Sequence, residues 1–157
     1  MIDSSQLFTR DEDGWSNLIG SFIIDYSYCE ELVKITSNEY IKVNKLSRAN
    51  TFGEHISNFR LSILENCLEF ILTSKLELTV DRLKKIKSVR DTLAHNSLSI
   101  LTNENDQGAV LKAELILADK CGKLALTLLE FEQKVDEMKC IRRDVEHFYK
   151  CWLCRHV

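Results

Sequence analysis

The 157-residue chain contains no proline and only 5 glycines. Proline breaks helices and glycine loosens them, so a chain without the first and sparing with the second favours long helices and short connections. Hydrophobic residues make up 45% of the chain and charged residues 29%, which is the balance of a core with a solvated surface. At this length one domain, residues 1–157, is expected, and it can bury a core without staples.

Hydrophobic spacing places the helices. Residues 1–13 are polar and read as a loose lead-in; their terminal Arg10-Asp11-Glu12-Asp13 suits the start of a helix. Over residues 14–45, Leu18, Ile19, Phe22, Ile23 and Tyr26 recur at three- and four-residue steps, headed by Trp15. The later part of this segment continues the helix or restarts it after a kink near Ser37-Asn38. Residues 47–53 read as a connection. A helix over 54–72 follows, with Ile56, Phe59, Ile63, Leu64, Cys67, Leu68, Ile71 and Leu72 on its apolar side. Residues 73–78 read as a turn, and Thr79 as the N-cap of a helix over 80–96. Residues 98–108 have loop composition. The stretch 109–152 keeps helical spacing, with a break near Lys120-Cys121-Gly122. The expected fold class is all-α.

Net charge is −3. Proteins that hold nucleic acid tightly are usually basic, so any RNA contact here is expected to be local. The first residues, Met1-Ile2-Asp3-Ser4-Ser5-Gln6, carry neither a basic stretch nor an apolar run, so no secretion signal is read. No segment looks apolar enough to cross a membrane. A cytoplasmic location with reduced cysteines is the expectation; among the six, Cys67 and Cys121 read as small core residues.

The stretch richest in chemistry is Lys87-Ser88-Val89-Arg90-Asp91-Thr92-Leu93-Ala94-His95-Asn96. A fixed cation, a carboxylate and an imidazole lie within six residues. Asp91 and His95, four apart, share one helix face, so the carboxylate can orient the imidazole. Arg90 falls on a different side, with Leu83, Ile86, Leu93 and Ala94. A guanidinium on an apolar stripe wants a partner, such as a second helix or subunit. Arg82, Lys84, Lys85 and Lys87 precede the motif and Asn96 follows His95. They read either as a ramp for an RNA backbone or as a solvated helix face.

The run Arg90-Asp91-Thr92-Leu93-Ala94-His95, near a helix end in a helical chain of this size, resembles the R-x4-H motif of the HEPN superfamily. That resemblance implies a helical bundle of four to six helices, dimeric, with the two motifs facing each other. It implies a metal-independent endoribonuclease without cofactor, in which Arg90, Asp91 and His95 are catalytic and Arg82, Lys84, Lys85, Lys87 and Asn96 contact RNA. Toxins of toxin–antitoxin pairs and abortive-infection proteins of phage defence are the nearest branch, so a cognate antitoxin protein is an implied partner. The alternative on the same fold is an inactive nucleotide-binding or protein-interaction module. One group of such toxins carries a tyrosine two positions after the histidine, which its antitoxin modifies. Here that position is Ser97, so control by binding fits better than control by modification.

Two further histidine-bearing features remain. His147, Cys151, Cys154 and His156 crowd the last turns of the chain. The residue types suit a metal, but structural zinc normally draws its ligands from two separated pairs. The bland reading is a terminal helix with reduced thiols. His55 reads as a surface or interface residue.

Overall fold

In the computed structural model the described residues form four helices and a three-stranded sheet: α1 (Ser4–Asn44), α2 (Phe52–Cys67), α3 (Thr73–His95), β1 (Leu98–Glu104), β2 (Val110–Ala118), β3 (Ala125–Leu126) and α4 (Leu128–His156). The backbone is described for residues 4–67, 73–95, 98–108 and 110–156, and the side chains of these except 4–12, 100, 103, 110–113 and 156. Leu68, Ile71 and Leu72, expected on the apolar side of the second helix, lie outside the described residues, as does Asn96.

The mostly helical expectation holds, but the all-α class does not. Residues 98–126 form an antiparallel sheet in the order β1-β2-β3. The reason is visible in the spacing. Leu111, Ala113, Leu115 and Leu117 alternate with Lys112, Glu114, Ile116 and Ala118, a period of two that a strand satisfies. Leu115 and Leu117 are buried, while Glu114, Ile116 and Ala118 are half-buried. Leu111, Leu115 and Ile116 also fit a helical step, which is why periodicity alone misassigned the segment. Leu98 pairs with Leu117 and Ser99 with Ile116, and the register shifts between Asn103 and Glu104. Asn105 starts the β1–β2 connection. Its side-chain oxygen accepts from the Gln107 N–H at 3.0 Å, its carbonyl from the Gly108 N–H at 3.0 Å, and Gly108 takes φ 77°.

Other boundaries move for local reasons. α1 is continuous through Ser37-Asn38 and already helical at Ser4, so the acidic run at 10–13 lies inside it rather than at its start. α3 begins at Thr73, not after residue 78. Thr79 sits within it, where its hydroxyl donates to the Lys75 carbonyl at 2.9 Å instead of capping. α4 begins at Leu128, and Thr127 is its cap: Oγ1 accepts from the Glu130 N–H at 3.2 Å.

The chain divides into two compact units, Met1–Ile23 with Ser88–Glu137, and Ile24–Lys87 with Met138–Val157. The first is centred on aromatic packing. Phe131 stacks on Trp15 with ring centroids 5.1 Å apart and lies 5.7 Å from Phe22, all three with no exposed surface. The second buries Val33, Ile56, Phe59, Ile63, Leu76, Met138 and Val145. It also holds a buried charge. Arg142 donates to Asp25 at 2.7 Å and lies over the Tyr28 ring at 4.2 Å, and the Tyr28 hydroxyl donates to Glu146 at 3.2 Å. Burial, helped by the Asp25 charge, pushes the neighbouring Cys29 thiol up to about 12. No helix among the described residues is long and apolar enough to cross a membrane.

Candidate functional site

The last two turns of α3 carry the motif. Ser88, Asp91, Thr92 and His95 stand at i, i+3, i+4 and i+7, so helical geometry puts all four on one face. That face forms one wall of an open pocket of about 520 Å³. The turn between β2 and β3 supplies Asp119, Lys123 and Leu124 to the same pocket. The turn is set by its own backbone: Asp119 N–H donates to the Leu124 carbonyl at 3.0 Å, and Gly122, at φ 69°, donates to the Asp119 carbonyl at 3.2 Å. A residue with a Cβ resists that φ, which explains a glycine there.

Within the pocket His95 is exposed, as an acid–base group must be to reach a substrate. Thr92 is buried, and its hydroxyl donates to the Ser88 carbonyl at 2.9 Å, so it serves the helix. Asp91 Oδ1 accepts from Arg90 Nη1 at 3.2 Å. The Asp91 carboxylate thus has Arg90 as one partner. Arg90 itself does not line the pocket; its side chain is 42% exposed beside Asp91 at 35%. The ideal-helix offset between Arg90 and His95 thus persists, and Asp91, which touches Arg90, shares the pocket wall with His95.

The remaining expected RNA contacts behave unequally. Lys84 and Lys85 are exposed, but Lys85 pairs with Asp81 at 2.9 Å. Arg82 and Lys87 are half-buried. A one-sided cationic strip is therefore interrupted by an acid within it.

At the C-terminus, His147 Nε2 lies 3.9 Å from Cys151 Sγ, while Cys154 is exposed. The His156 side chain lies outside the described residues. No three His, Cys, Asp or Glu side chains among the described residues are placed to hold a metal ion. Cys67 belongs to the same neighbourhood: burial raises its thiol, with Cys151 and Cys154 contributing. Cys121, expected in the core, is exposed in the β2–β3 turn. His55 has a partner that spacing does not reveal, Ser37 Oγ at 2.8 Å from Nδ1, and burial with Lys34 nearby lowers its imidazole from 6.5.

A second concavity, about 570 Å³, lies along residues 46–58. Its lining holds no imidazole, and its one carboxylate, Glu54, already accepts from the Asn50 N–H at 2.6 Å. Chemistry, not volume, therefore selects the α3 pocket. Sequence reading missed Asp119 and Lys123 because the segment that delivers them was taken as helix. The chain matches no protein-family model, no curated protein and no solved structure.

Proposed function

We propose that the chain is a metal-independent endoribonuclease of HEPN type, working as a homodimer and serving as the toxin of a toxin–antitoxin or abortive-infection system. The observation that carries the reading is the exposure of His95 at an open pocket whose wall also holds Asp91, the residue that anchors Arg90 at 3.2 Å. RNA brings its own nucleophile. His95 takes the proton of a 2′-hydroxyl, the 2′ oxygen bonds to phosphorus, and the bond from phosphorus to the 5′ oxygen breaks. The leaving oxygen takes a proton from the imidazolium of the second copy. Products are a 2′,3′-cyclic phosphate and a 5′-hydroxyl. Arg90 places its fork of donors on the charge of the five-coordinate phosphorus.

The test is total RNA incubated in excess EDTA with wild type, His95→Ala and Arg90→Ala, with the ends of the products identified. Each variant is expected to lose activity by roughly 10²–10⁴-fold. If both cut as fast as wild type, the assignment fails. A protein that stays monomeric at micromolar concentration removes the dimeric part. A second reading, a nucleotide- or protein-binding module without cleavage, is favoured by the two carboxylates lining the pocket and the net charge of −3, both of which oppose an RNA backbone.

A further inference from the structure

The pocket beside His95 holds a cation that the motif does not supply. Arg90 stands off its lining, and among the described residues Lys123 is the one lysine or arginine in it. Lys123 and His95 are both exposed, and among the described residues neither has an ion pair or a side-chain hydrogen bond. They arrive from separate elements, the β2–β3 turn and the end of α3. The turn is closed by the Asp119–Leu124 backbone contact at 3.0 Å, so the lysine extends from a fixed base and only its own side chain has to be ordered on binding.

The other lining groups bear on what Lys123 can hold. Ser88, exposed two turns before His95 on the same face, carries a hydroxyl compatible with a phosphate oxygen. Thr92 donates its own hydroxyl to the helix. Two carboxylates oppose an anion, and each has a cation near it. Asp91 touches Arg90 at 3.2 Å, and Asp119, whose Oδ1 is buried, shares its turn with Lys120 and Lys123. Such a lining suits a phosphate held at one point charge rather than in a clamp of several.

We propose that Lys123 is a substrate-binding residue of this site, its ammonium holding a non-bridging oxygen of the RNA phosphate beside His95. The inference rests on the ribonuclease reading for the identity of the anion and adds to it a residue outside the Arg90–His95 motif. A contact made equally in the bound substrate and in the transition state acts on KM and not on kcat.

Fluorescence anisotropy of the full chain with a short single-stranded 2′-deoxy oligonucleotide tests it. That strand lacks the attacking hydroxyl, so binding is read apart from cleavage. Lys123→Met is expected to weaken binding about fivefold at about 0.1 M salt and to reduce the salt slope by about 0.7, the contribution of one phosphate contact on a single strand. Lys123→Arg should keep both. Lys120→Met removes the same charge from an exposed lysine of the same turn that does not line the pocket, and should bind as wild type does. On RNA, Lys123→Met should raise KM by a similar factor while kcat changes less than about twofold. An equal loss in Lys120→Met, a wild-type slope in Lys123→Met, or no binding by wild type up to about 100 µM, the weak end for such contacts, overturns the proposal. His95-dependent cleavage in EDTA with an unchanged KM in Lys123→Met removes it and leaves the nuclease standing. Weakened binding in Lys123→Met, with no cleavage of RNA by wild type, keeps the phosphate contact and removes the nuclease.

Discussion

Arg142→Met should destabilise the protein more than Asp25→Asn, although both remove the same ion pair. The two partners differ in exposure: the Asp25 side chain is 9% exposed and that of Arg142 35%. Replacing Arg142 strands a carboxylate in the interior, a loss of about 3–5 kcal/mol for a fully buried pair. Water reaches the more open arginine side, which cuts this to about 2–3 kcal/mol, and loss of the contact over the Tyr28 ring, 4.2 Å from the guanidinium, adds about 0.5–1. Asp25→Asn keeps the shape and leaves an arginine still near water and Glu146, at about 1–2 kcal/mol. Urea denaturation gives both values, and in a chain of this size the arginine variant should melt roughly 5–15 °C lower. A deficit under about 1 kcal/mol or a larger loss from Asp25→Asn would refute the asymmetry argument.

Phe131→Ala removes the ring that Trp15 and Phe22 pack against; a loss of about 3–5 kcal/mol in chemical denaturation is expected. Thr127→Ala deletes the cap of α4 at about 0.5–2 kcal/mol, and Thr127→Asn should restore most of it. His55 is held below its ordinary 6.5 by burial first and Lys34 second, so the unfolded chain takes up its proton sooner. Stability should fall as pH drops below that value, and His55→Gln should flatten this part of the pH profile.

Much of the helical layout is legible in the sequence because apolar residues at three- and four-residue steps have no other good use. α2 starts two residues before its expected position and α1 ends one residue before its own, although α1 begins ten residues earlier than expected. The signals that were overridden are informative. Thr127-Leu128-Leu129-Glu130 has the spacing of a capping box ahead of an apolar run, and it marks a helix start where a continuous helix was expected. Its counterpart Thr51-Phe52-Gly53-Glu54 marks the start of α2, with Glu54 N–H on Thr51 Oγ1 at 3.1 Å. In 110–118 the leucines satisfy both periods, and only the two-residue alternation with a turn composition on each side tips the segment to strand. Residues 120–122 were legible as a break but not as a reversal, since a break in a helix and the turn of a hairpin share the same glycine.

The candidate site shows where local reading stops. The shared face of Ser88, Asp91, Thr92 and His95 follows from helical arithmetic, because all four belong to one element. The contact of Asp91 with Arg90 at 3.2 Å does not follow from that arithmetic, since adjacent residues point to different sides of a helix and only the length of the arginine side chain closes the gap. Asp119 was further out of reach still, as it arrives on the far side of a sheet, 24 positions beyond His95 in sequence. The pocket thus joins the α3 face to the β2–β3 turn, two segments that no single sequence window contains.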